Sequence, residues 1–228
     1  MRVTVLTGAG ISAESGVPTF RDADGLWEGH RAEDVATPEA FELKPDLVHR
    51  FYDARRAAIA RVEPNPAHRA LARLEQALGE ELLVVTQNVD DLHERAGSTR
   101  VLHMHGELRS ALCRACGARV PWHTDLGHRP PCPVCGAAAL RPDVVWFGEI
   151  PYGMQRIHDA VDASDLFVSV GTSGAVFPAA GLVARAFRQG AQTLELNLVP
   201  SHGTRLFDDA RHGPASLLVP AWVDELLG

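Results

Sequence analysis

Short β-rich runs recur along this chain, at 3–7, 82–86, 101–104, 144–147, 166–171, 193–197 and 216–219. A strand with one wet face alternates apolar and polar residues. Runs such as LLVVT and LFVSVG do not, so they predict strands covered on both sides, as in a parallel sheet. Between them lie stretches with helical spacing, at 45–62, 66–78, 154–163, 178–189 and 222–227. For the second of these, Asn65-Pro66 is a start signal and Gly79 a stop. Strand and helix in alternation predict an α/β fold with a Rossmann-like, doubly wound parallel sheet. Residues 25–62, mostly helical with no strand of their own, and residues 109–142, rich in Pro, Gly and Cys, break the alternation. They are expected to form a smaller lobe inserted in a larger one made of approximately 1–24, 63–108 and 143–228, the whole being a single catalytic domain.

Composition narrows the function classes. At 228 residues the chain is long enough for one such domain, which should bury roughly 70 to 75% of its unfolded surface. Lys plus Arg number 22 against 29 for Asp plus Glu, a net charge of −7. That balance offers no basic field to recruit nucleic acid or an anionic membrane. No apolar run reaches membrane-spanning length, and the first predicted strand leaves no room for a leader ahead of it, so a soluble cytoplasmic protein is expected.

The four cysteines all fall between 113 and 135, a local cluster and not a distributed disulfide framework. Cys113-x-x-Cys116 and Cys132-x-x-Cys135 have the spacing of two knuckles that turn four thiolates onto one tetrahedral zinc ion. Four thiolates close the coordination shell, so the metal is expected to be structural.

After the first strand comes GAGISAESGVPTFRD, residues 8–22. Gly8, Gly10 and Ala13 fit the strand-to-helix pattern in which small residues let backbone N–H groups approach a pyrophosphate. The break at Gly16 and Pro18 departs from a dehydrogenase and suggests a loop over the ligand. Ligands of open α/β sheets bind beyond the carboxyl ends of the strands. There the chain places Gln87, Asn88 and Asp90 in TQNVDDLH, His105-Gly106, and Gly171, Thr172 and Ser173. His103 shares a strand face with His105, so spacing alone does not choose the proton acceptor.

Together with VVWFGE at 144–149 and GPAS at 213–216, these segments resemble the sirtuin family, NAD-dependent protein lysine deacylases, over nearly the whole chain. The resemblance implies an NAD lobe, a small lobe built from a zinc module and a helical module, and an acyl-lysine tunnel between the lobes. It implies that Gly8, Ala9, Gly10, Glu14, Phe20, Arg21 and Trp27 line the NAD site. Gln87, Asn88 and Asp90 would bind nicotinamide and its ribose. Gly171, Thr172, Ser173, Asn197, Leu198, Val199 and Ala215 would hold the adenosine half. Val199 departs from the family, in which many members carry an acid at this place. His105 would be the general base, and Val145, Phe147, Gly148 and Glu149 would border an acyl-lysine protein or peptide, paired as an added strand.

Tyr52 and Arg55 lie three apart on a predicted helix and share a face, so a phenol and a guanidinium could grip one carboxylate. Class III sirtuins carry such a Tyr-x-x-Arg pair, which implies removal of succinyl- or malonyl-type groups as well as acetyl. Arg56 would point elsewhere. NAD as co-substrate, one structural zinc ion, and transfer of the acyl group to ADP-ribose with nicotinamide released follow from the same resemblance. Mono-ADP-ribosyl transfer on the same fold is the nearer alternative, and a Rossmann oxidoreductase the more distant one.

Overall fold

The computed structural model describes residues 1–19 and 29–228. In chain order the elements are β1 (Val3–Thr7), α1 (Gly10–Ala13), α2 (Ala32–Val35), α3 (Pro38–Leu43), α4 (Pro45–Ile59), α5 (Pro66–Leu78), β2 (Leu82–Thr86), α6 (Leu92–Arg95), β3 (Val101–His103), β4 (Gly106–Cys113), β5 (Arg119–Pro121), β6 (Leu140–Val144), α7 (Met154–Asp162), β7 (Leu166–Val170), α8 (Leu182–Arg188), β8 (Gln192–Asn197), β9 (Asp209–His212) and α9 (Ala215–Leu227). Among these residues no helix is long and apolar enough to cross a membrane.

The main sheet runs β3-β2-β1-β7-β8-β9, with every neighbouring pair parallel. Every residue of β1, β2 and β7 is buried, as their largely apolar runs require. One face packs under α5 and α9 through Leu71, Leu74, Val219, Trp222 and Val223. The other packs under α7 and α8 through Ile157, Val161, Leu182 and Ala186. Polar groups inside this sandwich are paired: Thr4 Oγ1 lies 2.6 Å from Ser164 Oγ, and Thr7 Oγ1 donates to Thr86 Oγ1 at 2.9 Å. Helix α5 starts as its sequence predicts, with the Asn65 side chain accepting the Ala67 N–H at 2.9 Å and its amide donating to the Ile11 carbonyl at 2.7 Å. The cap thereby ties α5 to α1.

Two predicted strands are corrected. Residues 216–219 are the first turns of α9, whose buried Val219, Trp222 and Val223 recur at helical spacing while Leu217 faces out. So short a run does not reveal which period it obeys. The sixth strand of the main sheet is instead β9, whose polar sequence DARH suits an edge. Residues 144–147 belong only at Val144 to a strand, the end of β6, which pairs antiparallel with β4 in a second sheet ordered β5-β4-β6. That sheet begins at Gly106, three residues before the expected start of the insert. Helices α2, α3 and α4 pack on it through Phe41, Tyr52, Leu108, Val144 and Trp146.

Candidate active site

The main sheet reverses its order beside β1, since β2 and β3 lie to one side and β7, β8 and β9 to the other. At such a switch point the loops beyond the strand ends diverge and open a crevice. Its floor is a close approach of two glycine turns. Gly8 N–H donates to the Val170 carbonyl at 2.9 Å and Gly10 N–H to the Gly171 carbonyl at 2.8 Å. A Cβ on Gly10 would lie 2.7 Å from Gly171 Cα, and one on Gly171, at φ +62°, would lie 2.4 Å from the Ile11 nitrogen. The amides of Gly8 and Gly10, which the glycine pattern assigns to a pyrophosphate, are thus committed to the β7 turn. The glycines are needed because two backbones meet there. Gly171→Ala is expected to cost more than about 2 kcal/mol of stability, read as a fall in melting temperature. An unchanged melting temperature would contradict the close approach.

Beyond β2, Asn88 and Asp90 are gathered around Ser12, a buried serine on α1 that no sequence motif singles out. Asn88 Nδ2 donates to Ser12 Oγ at 3.1 Å and to the Gly8 carbonyl at 3.1 Å, and Ser12 Oγ donates to Asp90 Oδ2 at 3.0 Å. Its only signal in sequence is a hydroxyl within an apolar turn. Asp90 also accepts the Leu92 N–H at 3.1 Å, and burial pushes its carboxyl above the ordinary range. Gln87 Nε2 donates to Thr172 Oγ1 at 3.0 Å, bridging the β2 and β7 loops.

The two histidines that spacing leaves undecided are separated by their partners. His103 is engaged at both ring nitrogens, by the Asn88 carbonyl at 3.0 Å and by the Glu94 carboxylate at 2.9 Å. Burial alone would lower its pKa, but the Glu94 carboxylate outweighs it and the net shift is upward. Among the described residues the His105 ring makes one hydrogen bond, between Nδ1 and the Gln87 carbonyl at 3.1 Å. A carbonyl only accepts, so Nδ1 carries the hydrogen and Nε2 keeps its lone pair. Among the described residues nothing hydrogen-bonds Nε2. Burial holds His105 below the ordinary imidazole pKa of 6.5, despite the opposing Gln87 hydrogen bond, so the ring is neutral at pH 7. Gly106, at φ +79°, lets β4 leave at once, because a Cβ there would stand 2.0 Å from the Asp143 carbonyl oxygen.

On the adenosine side, several expected contacts fasten the loops to one another. Asn197 Nδ2 donates to the Thr172 carbonyl at 2.8 Å, and its Oδ1 accepts the Leu198 N–H at 3.1 Å. Ser173 Oγ accepts the Ala175 N–H at 3.3 Å. Glu14 reaches the start of α9, accepting the Ser216 N–H at 3.0 Å beside Ala215, where its charge also favours the helix dipole. Leu198 and Val199 are exposed. Phe20, Arg21 and Trp27 lie outside the described residues.

In the smaller layer, Tyr52 and Arg55 sit on α4, both buried, with the Arg55 guanidinium 5.5 Å from the Phe51 ring centroid. Arg56 turns away, donating to the Leu108 carbonyl at 2.7 Å and to Asp53 at 2.6 Å. The segment after β6 is pinned by backbone bonds, Val145 N–H to the His105 carbonyl at 2.8 Å and Phe147 N–H to the Ala36 carbonyl at 3.0 Å. Phe147 is exposed and Gly148 has φ +91°. The Glu149 carboxylate is turned inward, accepting from Arg141 at 2.8 Å and from the Trp146 N–H at 2.9 Å. Its side chain therefore braces this segment, whereas the family resemblance places it at a substrate border. Trp146 and Arg141, its partners, carry no signal of this role in sequence.

The four cysteine Sγ atoms lie within 4.8 Å of one another. The two knuckles repeat one geometry: Gly117 N–H bonds the Cys113 carbonyl and Gly136 N–H the Cys132 carbonyl, each at 2.8 Å, with both glycines near φ +75°. Four thiols brought that close, with no disulfide among them, fit one tetrahedral zinc ion. Asp53 of α4 accepts the N–H groups of Leu126 at 2.9 Å and Gly127 at 2.9 Å, joining the helices to the cysteine module.

A profile of the Sir2 family matches residues 8–178. An NAD-dependent protein deacylase of Caulobacter vibrioides is 55% identical over 234 residues, covering 100% of this chain and 97% of the relative. One of the same description from Shigella flexneri is 55% identical over 229 residues, covering 99% of this chain and 84% of the relative. The crystal structure of a Sir2 homologue in complex with NAD superposes with a TM-score of 0.90 at 40% identity, over 99% of this chain and 89% of the other. With this fold, this switch-point crevice and these matches, the chain belongs to the Sir2 family.

Proposed function

We propose that in this NAD-dependent protein deacylase His105 is the general base and Tyr52 and Arg55 admit acidic acyl groups on lysine. The observation that carries the first assignment is the one hydrogen bond of the His105 ring among the described residues, Nδ1–H on the Gln87 carbonyl, which leaves Nε2 as the lone-pair nitrogen of the neutral ring. NAD, when bound, supplies the ribose that receives the acyl group as nicotinamide leaves. At Nε2, His105 takes the proton from a ribose hydroxyl, and the Gln87 carbonyl stabilises the imidazolium that results. Gln87, Asn88 and Asp90 offer amide and carboxylate groups to nicotinamide and its ribose, with Asn88 and Asp90 held through Ser12 and Gln87 through Thr172. The adenosine half would lie over Thr172, Ser173 and Leu198. Val145, Phe147 and Gly148 would border the backbone of the acyl-lysine substrate.

The second assignment rests on burial and reach. A guanidinium and a phenol on one face of α4, both shut from water, match a carboxylate far better than a methyl group. An acyl-lysine peptide panel with NAD tests it. Arg55→Met is expected to lower kcat/KM for succinyl-lysine roughly thirtyfold, the worth of a charged hydrogen bond, and to leave acetyl-lysine within about threefold. Equal loss on both peptides would refute the reading. Detection of acyl-ADP-ribose as product, without an ADP-ribosylated protein, separates deacylation from ADP-ribosyl transfer.

A further inference from the structure

We infer that Trp146 is a positioning residue for acyl selectivity, presenting the Tyr52 hydroxyl as a hydrogen-bond donor to an acidic acyl group. The inference rests on the acyl-pocket reading above. Trp146 Nε1 lies 3.0 Å from Tyr52 Oη. An indole N–H can only donate, so at this contact the phenol oxygen must accept. The phenol hydrogen is thereby directed away from the indole, and Tyr52 meets any further partner as a donor. A carboxylate accepts only, so it fits that donor, whereas an acetyl methyl gains nothing from it.

Trp146 is itself held on several sides. The Arg141 guanidinium stacks on its ring at 4.0 Å from the centroid, and Arg141 donates to both oxygens of Glu149 at 2.8 and 2.9 Å. Glu149 in turn accepts the Trp146 backbone N–H at 2.9 Å. The Phe41 ring lies 5.2 Å away on α3. The backbone on either side is anchored, at Val145 to the His105 carbonyl and at Phe147 to the Ala36 carbonyl. One indole thus links the Tyr52 hydroxyl to the segment after β6 that is hydrogen-bonded to the His105 carbonyl. Arg141 and Glu149 serve this reader at one remove, by fixing the plane of the ring.

The test is a double-mutant cycle read on two peptides, succinyl-lysyl and acetyl-lysyl, with NAD saturating. Trp146→Phe keeps an aromatic ring under Arg141 and removes the N–H. It is expected to lower the succinyl-to-acetyl ratio of kcat/KM about tenfold, and to leave the acetyl value within about threefold. In a Tyr52→Phe background the same change is expected to leave the ratio where Tyr52→Phe alone puts it, because the hydroxyl through which Trp146 acts is gone. Benzothienylalanine at position 146, in which sulfur replaces the N–H at constant shape, should reproduce the Trp146→Phe ratio even if that variant folds poorly. An equal loss on both peptides, or a full additional loss in the Tyr52→Phe background, would overturn the inference. If Tyr52→Phe lowers the ratio and neither Trp146 variant does, the positioning role alone fails. If Tyr52→Phe leaves the ratio unchanged, the acyl-pocket reading falls with it.

Discussion

His105→Ala is expected to lower NAD-dependent deacylation about a thousandfold, and to leave the melting temperature and NAD binding close to those of the unchanged protein. The ring donates one hydrogen bond, to a backbone carbonyl at a loop edge, so its removal costs the fold little. On the proposed mechanism, the reaction loses the imidazole nitrogen that accepts its proton. The two histidines make the experiment specific. His103 is held at both nitrogens, its protonated form favoured by Glu94, so His103→Ala should cost stability first and rate by less than about tenfold. The pH profile carries the same assignment. A base works in its neutral form, and burial lowers the pKa of His105, so kcat/KM should fall only as the pH drops below 6.5. An acid limb at or above the ordinary imidazole value, or a His105→Ala protein with near-normal turnover, would remove His105 from the mechanism.

Loss of zinc is expected to be the most damaging change to the fold. Binding free energy for a closed four-thiolate site is of the order of 10 kcal/mol, comparable to the stability of a whole domain. Residues 113–140 enclose a small apolar cluster, with Ala111, Leu126 and Leu140 around the buried Cys113 and Cys132 and the partly buried Ala118, Val120, Trp122 and Ala139 at its edge. The damage should spread in two directions. Strand β4 runs from Gly106, next to His105, to Cys113, and Asp53 on α4 is bound to the Leu126 and Gly127 amides. Chelation, or Cys132→Ser, should therefore lower the melting temperature by more than about 10 °C and abolish deacylation. Zinc added back to the chelated protein, but not magnesium, should restore both. A zinc-free protein with full activity would show that the cysteine module is dispensable.

Patterns confined to a few neighbouring residues are legible in the sequence alone. Largely apolar runs place β1 and β2 at their observed limits, because a strand buried on both faces leaves no other signature. The Asn65-Pro66 start and the Gly79 stop bracket α5, since cap and turn chemistry act within one turn of chain. Two Cys-x-x-Cys pairs suffice for a metal site because each knuckle folds locally. Legibility fails where the partner is remote. Glu14 is an acid in a loop until Ser216, some 200 residues on, brings the start of α9 to it. Residues 216–219 read as a strand because so short a run carries no period, and β9 escapes notice because an edge strand can be polar.

By itself the sequence determined the α/β alternation, the zinc ligands and the set of polar residues waiting at the strand ends, since each depends on the period of the chain or on local spacing. The tertiary structure decided what those residues touch. It gave His103 to Glu94 and His105 Nδ1 to the Gln87 carbonyl, spent the glycine amides on the β7 turn, turned Glu149 inward to Arg141, and set Trp146 against Tyr52. These outcomes rest on which donor meets which acceptor across the packed interior, and sequence spacing does not encode that pairing.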